Sequence, residues 1–467
     1  MPASPNILLI TCDQLQAFAT GCYGNPDVRT PGIDALAASG VRFEYGISNA
    51  PVCMAARSLL LSGQHNRRCT GGVGNVQYPC GKRGSYPMPE YPPPTRMHLV
   101  DPTLPELLRD AGYDTAVIGK WHIYAWPDAI GFNHYLIPRT HHVHSAQGYV
   151  EDGSPEFVPD GYSVDFETRR AVEFLHDRQH ARQPFFLMLN YSPPHPPLND
   201  CPEPYLTMYD PASMTLRPNV NLHKPFPDWD HDCRVYRWDY RYYELQLPHT
   251  LRPREDSIRD IYAAYYGNTT WLDTQIARVL HELEACGLRE DTMVVFTADH
   301  GDNLGSHGRN GKGLPFDESL RVPMILSRPG TLEPAVVTDR VATLLDLAPT
   351  LLGHAGVTAP AHFDGLDLLT HPDDPQPAAS EAADHPAICE ITPGTLVART
   401  TRFTAFLDAD RNQPLAFYDN HADPYQMTNL ADTPDHADVQ RRLFARLRRH
   451  HRDVPITPQP DYGFTRH

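Results

Sequence analysis

A chain of 467 residues exceeds the roughly 250 to 300 at which single cores stop growing, so a large unit with a smaller one packed against it is expected. An apolar fraction of 41% and a charged fraction of 21% exclude a disordered or fibrous chain. The net charge of −17 and the lack of any run near the ~20 apolar residues of a bilayer span argue against nucleic acid and membrane as partners.

The chain opens Met1-Pro-Ala-Ser-Pro-Asn6 with no basic segment or cleavage site, which reads as a cytoplasmic start. Nine scattered cysteines do not resemble a disulfide framework, and Cys12 and Cys22 read as small core residues. Residues 7–11 form a continuous apolar run that delivers Cys12, Asp13 and Gln14 at its end, the pattern of a buried strand in an open α/β sheet, where ligands collect. A helix follows over 31–40, between Pro31 and Gly40, then an alternating strand over 41–45. Cys53 precedes a good helix-forming run closed by Gly63. The pattern predicts a helix over 101–112 capped by Asp101, then a strand over 115–118 that ends in Gly119-Lys-Trp-His122. A helix over 163–178 leads to a strand over 184–190, followed by His195 among prolines. Helical periodicity over 257–285 precedes a strand over 292–297, which empties into Asp299-His300-Gly301-Asp302.

Two segments break this rhythm. Residues 72–98, rich in Gly, Pro and Tyr, read as irregular loop, and an insertion over about 199–254 carries Trp229, Trp238, Tyr240, Tyr242 and Tyr243. Those aromatics suit a pocket wall, internal packing or a subunit contact, so a homo-oligomer stays open. Residues 1–360 are read as the catalytic domain and 361–467 as a C-terminal subdomain, in which Pro and Asp cluster at 373–377 and short strands alternate over 396–400 and 403–407.

Placed at a helix N-terminus, Cys53 meets unsatisfied N–H groups that favour anions, and Arg57 adds a cation one turn on. The stretch Pro51-Val-Cys-Met-Ala-Ala-Arg57, with Gly63 beyond, resembles the signature of the type I sulfatases, in which the cysteine is oxidised to formylglycine. Ala55 stands where proline is usual, a variant that family members pair with a radical maturation enzyme in place of the formylglycine-generating one. The resemblance extends in chain order through Asp13-Gln14, Gly119-Lys-Trp-His122, His195, Asp299-His-Gly-Asp302 with Lys312, and the closing Asp423-Pro-Tyr-Gln-Met-Thr-Asn-Leu-Ala431. It is nearest in site pattern to choline sulfatases and phosphonate monoester hydrolases.

The resemblance implies an alkaline phosphatase-like α/β fold, with a large mixed, mostly parallel sheet between helices and a small antiparallel C-terminal subdomain. It implies one divalent metal, Ca²⁺ first with Mn²⁺ and Mg²⁺ as alternatives, on Asp13, the modified Cys53, Asp299 and His300, with Gln14 where many relatives carry a second Asp. Formylglycine, hydrated to a diol, would attack the sulfur of a small-molecule or sugar sulfate ester. By the same resemblance Arg57 stabilises the alkoxide, Lys120 and Lys312 bind sulfate oxygens, His195 with Lys312 protonates the departing alcohol, and His122 deprotonates the second hydroxyl. His307, Asp302 and Asp317 are left without a role. Two alternatives stand beside this reading: a phosphonate monoester or phosphodiester hydrolase, and a non-catalytic binding protein with Cys53 unmodified.

Overall fold

The computed structural model describes residues 4–72, 74, 76–77, 86–87, 99–123, 125–221, 243, 254–369, 386–391, 394–431, 433–457 and 465–466. Most of the expected loop at 72–98, the insertion's Trp229, Trp238, Tyr240 and Tyr242, and the Pro- and Asp-rich stretch at 373–377 lie outside them.

The main sheet holds β1 (Asn6–Asp13), β2 (Val41–Ile47), β3 (Asp114–Gly119), β4 (His134–Pro138), β5 (Tyr149–Glu151), β6 (Phe185–Pro194), β7 (Thr292–Ala298), β8 (Met324–Ser327) and β9 (Val336–Thr343). In space they run β9-β2-β8-β7-β1-β6-β3-β4-β5, and only β8 and β5 are antiparallel to their neighbours. β1 lies centrally, with Ile7 opposite both Met293 and Phe186, and its Ile7–Ile10 run is fully buried, as a strand covered on both faces requires. This is the mixed, mostly parallel sheet that the sequence predicted.

Two groups of helices accompany the sheet. In one, α1 (Pro31–Ala38), α4 (Ser163–Arg178) and α5 (Arg254–Ala285) pack together; in the other, α2 (Cys53–Ser62), α3 (Leu104–Asp110) and α6 (Leu344–His354) do. The expected cap of α3 is corrected: Thr103 closes the helix start in a capping box with Glu106, whose Oε2 accepts from Thr103 N at 2.8 Å. Asp101 instead accepts from Gln64 Nε2 at 2.8 Å. Cys12 is core as expected, whereas Cys22 is half-buried, with its backbone N–H on Asp34.

The smaller unit is an antiparallel sheet of β10 (Ala387–Ile391), β11 (Thr395–Arg399), β12 (Phe403–Asp408) and β13 (Gln413–Asp419), followed by α7 (Ala437–Asp453). Alternation divides its side chains. Leu396, Ala398, Ala405 and Leu407 meet Leu443, Phe444 and Leu447 of α7, while Val397, Phe406 and Tyr418 meet Ile47, Leu314, Phe316 and Leu320 of the main unit. Across that second contact buried Arg399 grips buried Asp317 through two bonds, Nε to Oδ1 at 2.9 Å and Nη2 to Oδ2 at 2.8 Å.

Breaking one side of that pair strands a buried carboxylate. We expect Arg399→Leu to lose about 3–5 kcal/mol in denaturant melts. The double variant Arg399→Leu/Asp317→Leu should recover part of the loss, and no recovery would show that the pair is not what joins the units.

Candidate active site

Three strand ends and one helix start converge. The β1–β6 ladder shifts register between Cys12 and Asp13, so that Asp13 pairs with Pro194, and just past the strand Gln14 adopts a left-handed φ of 67°. Past the end of β7, Asp299 donates its N–H to the Cys12 carbonyl at 3.1 Å, which sets Asp299 and His300 beside Asp13. Past β3, the Lys120 N–H donates to the Asn190 carbonyl of β6 at 2.8 Å. Cys53 is the first residue of α2, and Arg57 follows one turn later.

Asp13, Cys53, Asp299 and His300 are buried, and each offers one donor atom within 4.8 Å of all the others. His300 Nε2 lies 3.2 Å from Cys53 Sγ, 3.4 Å from Asp13 Oδ1 and 3.5 Å from Asp299 Oδ1. Its Nδ1 is 2.9 Å from the Gly301 carbonyl; a hydrogen placed there leaves the Nε2 lone pair facing the cluster. Burial pulls the His300 pKa down to about 3, against the attraction of Asp299, so the ring is neutral, the form that ligates metals. Two carboxylates and a neutral imidazole around one buried point are a donor set that fits a divalent cation.

Basic groups surround these acids. Lys120 Nζ donates to Asp13 Oδ2, and Lys312 Nζ donates to Cys53 Sγ and to Gln14 Oε1, each at 2.9 Å. Arg57 Nε donates to Asp299 Oδ2 at 3.0 Å and Nη1 to the Lys120 carbonyl at 3.2 Å. Burial, then the charge of Lys312, pulls Lys120 well below the ordinary lysine value. Burial works to raise Asp299, but the surrounding positive groups outweigh it and hold the carboxyl below its usual range. The Cys53 thiol moves up, because burial exceeds the opposing pull of Lys312.

His195 stands on the rim of this cluster, its ring stacked on His142 at 3.6 Å and 6°, and its Nδ1 2.6 Å from the Pro196 carbonyl. His122 joins the same group, 6.2 Å from the His142 ring. All ten residues named from the sequence therefore fall in one neighbourhood. Sequence reasoning missed His142, whose Nδ1 lies 3.1 Å from Lys120 Nζ. It sits in irregular chain after β4, and the only available signal was the histidine pair His141-His142. Asp302 was also passed over, yet it is fully buried and accepts from Gln14 Nε2 at 2.5 Å and from Tyr243 OH at 2.9 Å. Tyr243 is the one residue of the aromatic insertion's five that the structure describes. His307 stacks on Phe316 at 3.8 Å, away from these donors' contacts.

The sulfatase family model matches residues 5–357, and the model of the N-sulphoglucosamine sulphohydrolase C-terminal region matches residues 305–453. The chain is 30% identical to the ulvan-active sulfatase of Formosa agariphila over 96% of its own length and 81% of that protein. In fold it resembles BT4656, solved in complex with its substrate D-glucosamine-2-N,6-O-disulfate (TM-score 0.72, 23% identity, 97% of this chain and 98% of that one). It also resembles the phosphonate monoester hydrolase of Silicibacter pomeroyi (TM-score 0.69, 24% identity, 97% and 96%). A donor cluster of this kind at the sheet's edge, on this fold, with a family model spanning most of the chain, defines a hydrolase of sulfate esters. The chain belongs to the sulfatase family, a membership that implies a formylglycine nucleophile and a divalent metal. No particular likeness to choline sulfatases emerges.

The turn that carries Lys120 rests on a buried acid. Gly119, at φ +94°, leaves room for neither a Cβ beside the Asn190 carbonyl (2.1 Å) nor one near Glu167 Cδ (3.2 Å). Glu167 accepts from Tyr149 OH at 2.9 Å, and burial pushes its pKa up from 4.5 to about 8. The folded protein thus holds a proton that the unfolded chain releases, so stability from this group is greatest below about pH 4.5 and declines as pH rises toward 8. Thermal melts across pH 5–8 should show that Glu167→Gln flattens this decline; an unchanged slope would mean that Glu167 is ionised in the fold.

Proposed function

We propose that this sulfatase acts on a sulfated sugar, with residue 53 as nucleophile after oxidation to formylglycine and with Asp13, Asp299, His300 and residue 53 holding the cation, calcium before manganese or magnesium. The observation that carries the reading is the arrangement around Cys53 Sγ, the atom standing where the modified residue presents its oxygen: Lys312, His300 and Asp13 lie within 2.9, 3.2 and 3.6 Å of it. A divalent cation bound there supplies Lewis acidity toward the sulfate and toward a hydroxyl of residue 53. A buried thiol with a raised pKa is a poor nucleophile at neutral pH, which favours a modified residue over cysteine chemistry.

The remaining groups have work that follows from their positions. Arg57, fixed by Asp299 and the Lys120 carbonyl, keeps a permanent positive charge beside residue 53. To Lys120 and Lys312, which contact the two carboxylate oxygens of Asp13, we assign the binding of sulfate oxygens, and to Gln14, whose Oε1 accepts from Lys312, the orienting of that lysine. Burial and the two lysines depress His195 well below the ordinary histidine value, and Nδ1 is engaged with Pro196, so the resting ring is neutral with Nε2 open to accept a proton. A bound sulfate ester brings negative charge that reverses the lysines' effect, which lets His195 carry the proton for the leaving oxygen. To His122, whose ring lies 6.2 Å from that of His142, we assign the removal of a proton from residue 53. The sugar preference rests on the relatives' sulfated-sugar substrates. The maturation partner is inferred from Ala55: a radical enzyme in place of the formylglycine-generating oxidase.

Protein co-expressed with such an enzyme should yield a Cys53 peptide that lacks the thiol and reacts with a hydrazine, and Cys53→Ala should abolish turnover of sugar sulfates. A persistent thiol with full activity would overturn the nucleophile. With sulfate and phosphonate esters of one leaving group, the sulfate should give the larger kcat/KM. His195→Ala should lower kcat on sugar sulfates by about 10²- to 10⁴-fold and on esters of acidic phenols far less, because a good leaving group departs without a proton. Equal losses on both would assign His195 to binding.

A further inference from the structure

A second group of metal-ligand residues lies apart from the site just described. His65 follows α2 in the main unit, Glu390 sits on β10, and His450 lies in the last turn of α7. Each presents one donor atom within 4.8 Å of the other two, the same span that gathers Asp13, Cys53, Asp299 and His300. From this geometry we propose that His65, Glu390 and His450 bind a Zn²⁺ ion that fastens the C-terminal subdomain to the helix bearing Cys53.

Two features beyond proximity support the site. Glu390 and His450 are buried, at 6% and 8% exposure, where side chains of these types are retained only with a partner. The His65 Nδ1 atom is buried without a hydrogen-bond partner among the described residues, and the His65 and His450 rings stand edge to face at 4.4 Å and 72°. Such an orphaned nitrogen beside a carboxylate and a second imidazole has a use if a cation lies between them. Burial keeps His65 neutral, which is the ligating form.

The carboxylate is held for the purpose. Glu390 Oε2 accepts the Arg67 N–H at 2.8 Å, while Oε1 lies 2.7 Å from His450 Nε2. Donors about 2.0–2.2 Å from a tetrahedral zinc are roughly 3.4 Å apart, so Oε1 and Nε2 need to part only slightly. Binding would displace the hydrogen that Glu390 and His450 share. Of the neighbouring cations, Arg68 pairs with Asp364 at 2.7 Å and Arg67 Nε donates to the Val454 carbonyl at 2.9 Å, while Arg446 adds a further positive charge near His65 that a metal has to overcome. Two imidazoles and one carboxylate suit zinc better than calcium, whose ligands are oxygen, so the two sites would differ in metal. Water would complete the coordination.

The test uses the full-length protein with the first cluster saturated by calcium, titrated with Zn²⁺ against a chromogenic chelator. One zinc per chain should bind, and the thermal midpoint should rise with it. Glu390→Gln and His65→Ala should each weaken uptake at least tenfold and abolish the thermal shift, while turnover with calcium stays at the parent level and shows that the variants are folded. An Asp13→Asn/Asp299→Asn variant should keep its zinc. Uptake that survives in Glu390→Gln and His65→Ala, or that vanishes in Asp13→Asn/Asp299→Asn, would place the zinc in the first cluster and overturn the proposal; so would no uptake at all.

Discussion

Everything at the active site depends on holding opposite charges together in a buried volume. Two carboxylates, Asp13 and Asp299, share a buried volume with Arg57, Lys120 and Lys312, and each acid touches a base. An unpaired ion there would carry a desolvation penalty of several kcal/mol, and attraction between neighbours offsets it only where the geometry is good. The sheet supplies that geometry. β1 and β7 are adjacent and parallel, so the residues just past their ends emerge side by side, and the bulge at Cys12 turns Asp13 toward its partners.

Backbone strain is the second condition. Gln14, His122 and His142 all have left-handed φ values, of 67°, 50° and 61°, and all three lie in this cluster. Non-glycine residues hold such angles only when the surroundings compel them. At Gln14 the compulsion is visible: its N–H goes to Asp299, its carbonyl accepts from Tyr265 OH, its amide donates to Asp302 and its Oε1 receives Lys312. Two backbone and two side-chain bonds to four residues fix this one residue, and glutamine, with both a donor and an acceptor, makes both side-chain bonds.

The sequence made the strands and their polar endings legible because a continuous apolar run followed by Asp, Lys or His is a local pattern. The same run predicted the strand over 184–190, yet the structure extends it to Pro194, since proline at a strand's end still allows extended backbone. The cap of α3 is also a local pattern: Thr103 stands three residues before Glu106, the capping-box spacing, and this reciprocal pair prevails over Asp101. His142 had no comparable signal. It reaches Lys120 through irregular chain, and nothing periodic marks it. Asp302 was hidden differently: its neighbours in the Asp-His-Gly-Asp motif were legible, but its partners Gln14 and Tyr243 are 288 and 59 residues away.

The smaller sheet serves the site at one remove. Lys312 stands at the head of a segment, 312–320, whose Leu314, Phe316 and Leu320 pack into the face of the small sheet and whose Asp317 is held by Arg399. Gln426 adds a further hold, accepting the Asp317 N–H at 3.0 Å while its amide donates to Thr404 and Asn420. A lysine flexes freely on its four-carbon stem, so a precise ammonium position needs a rigid backbone below it and a fixed acceptor above. The small sheet supplies the first and Gln14 the second. On this argument the two units form one device, in which the larger positions the acids and the smaller steadies the base that faces residue 53.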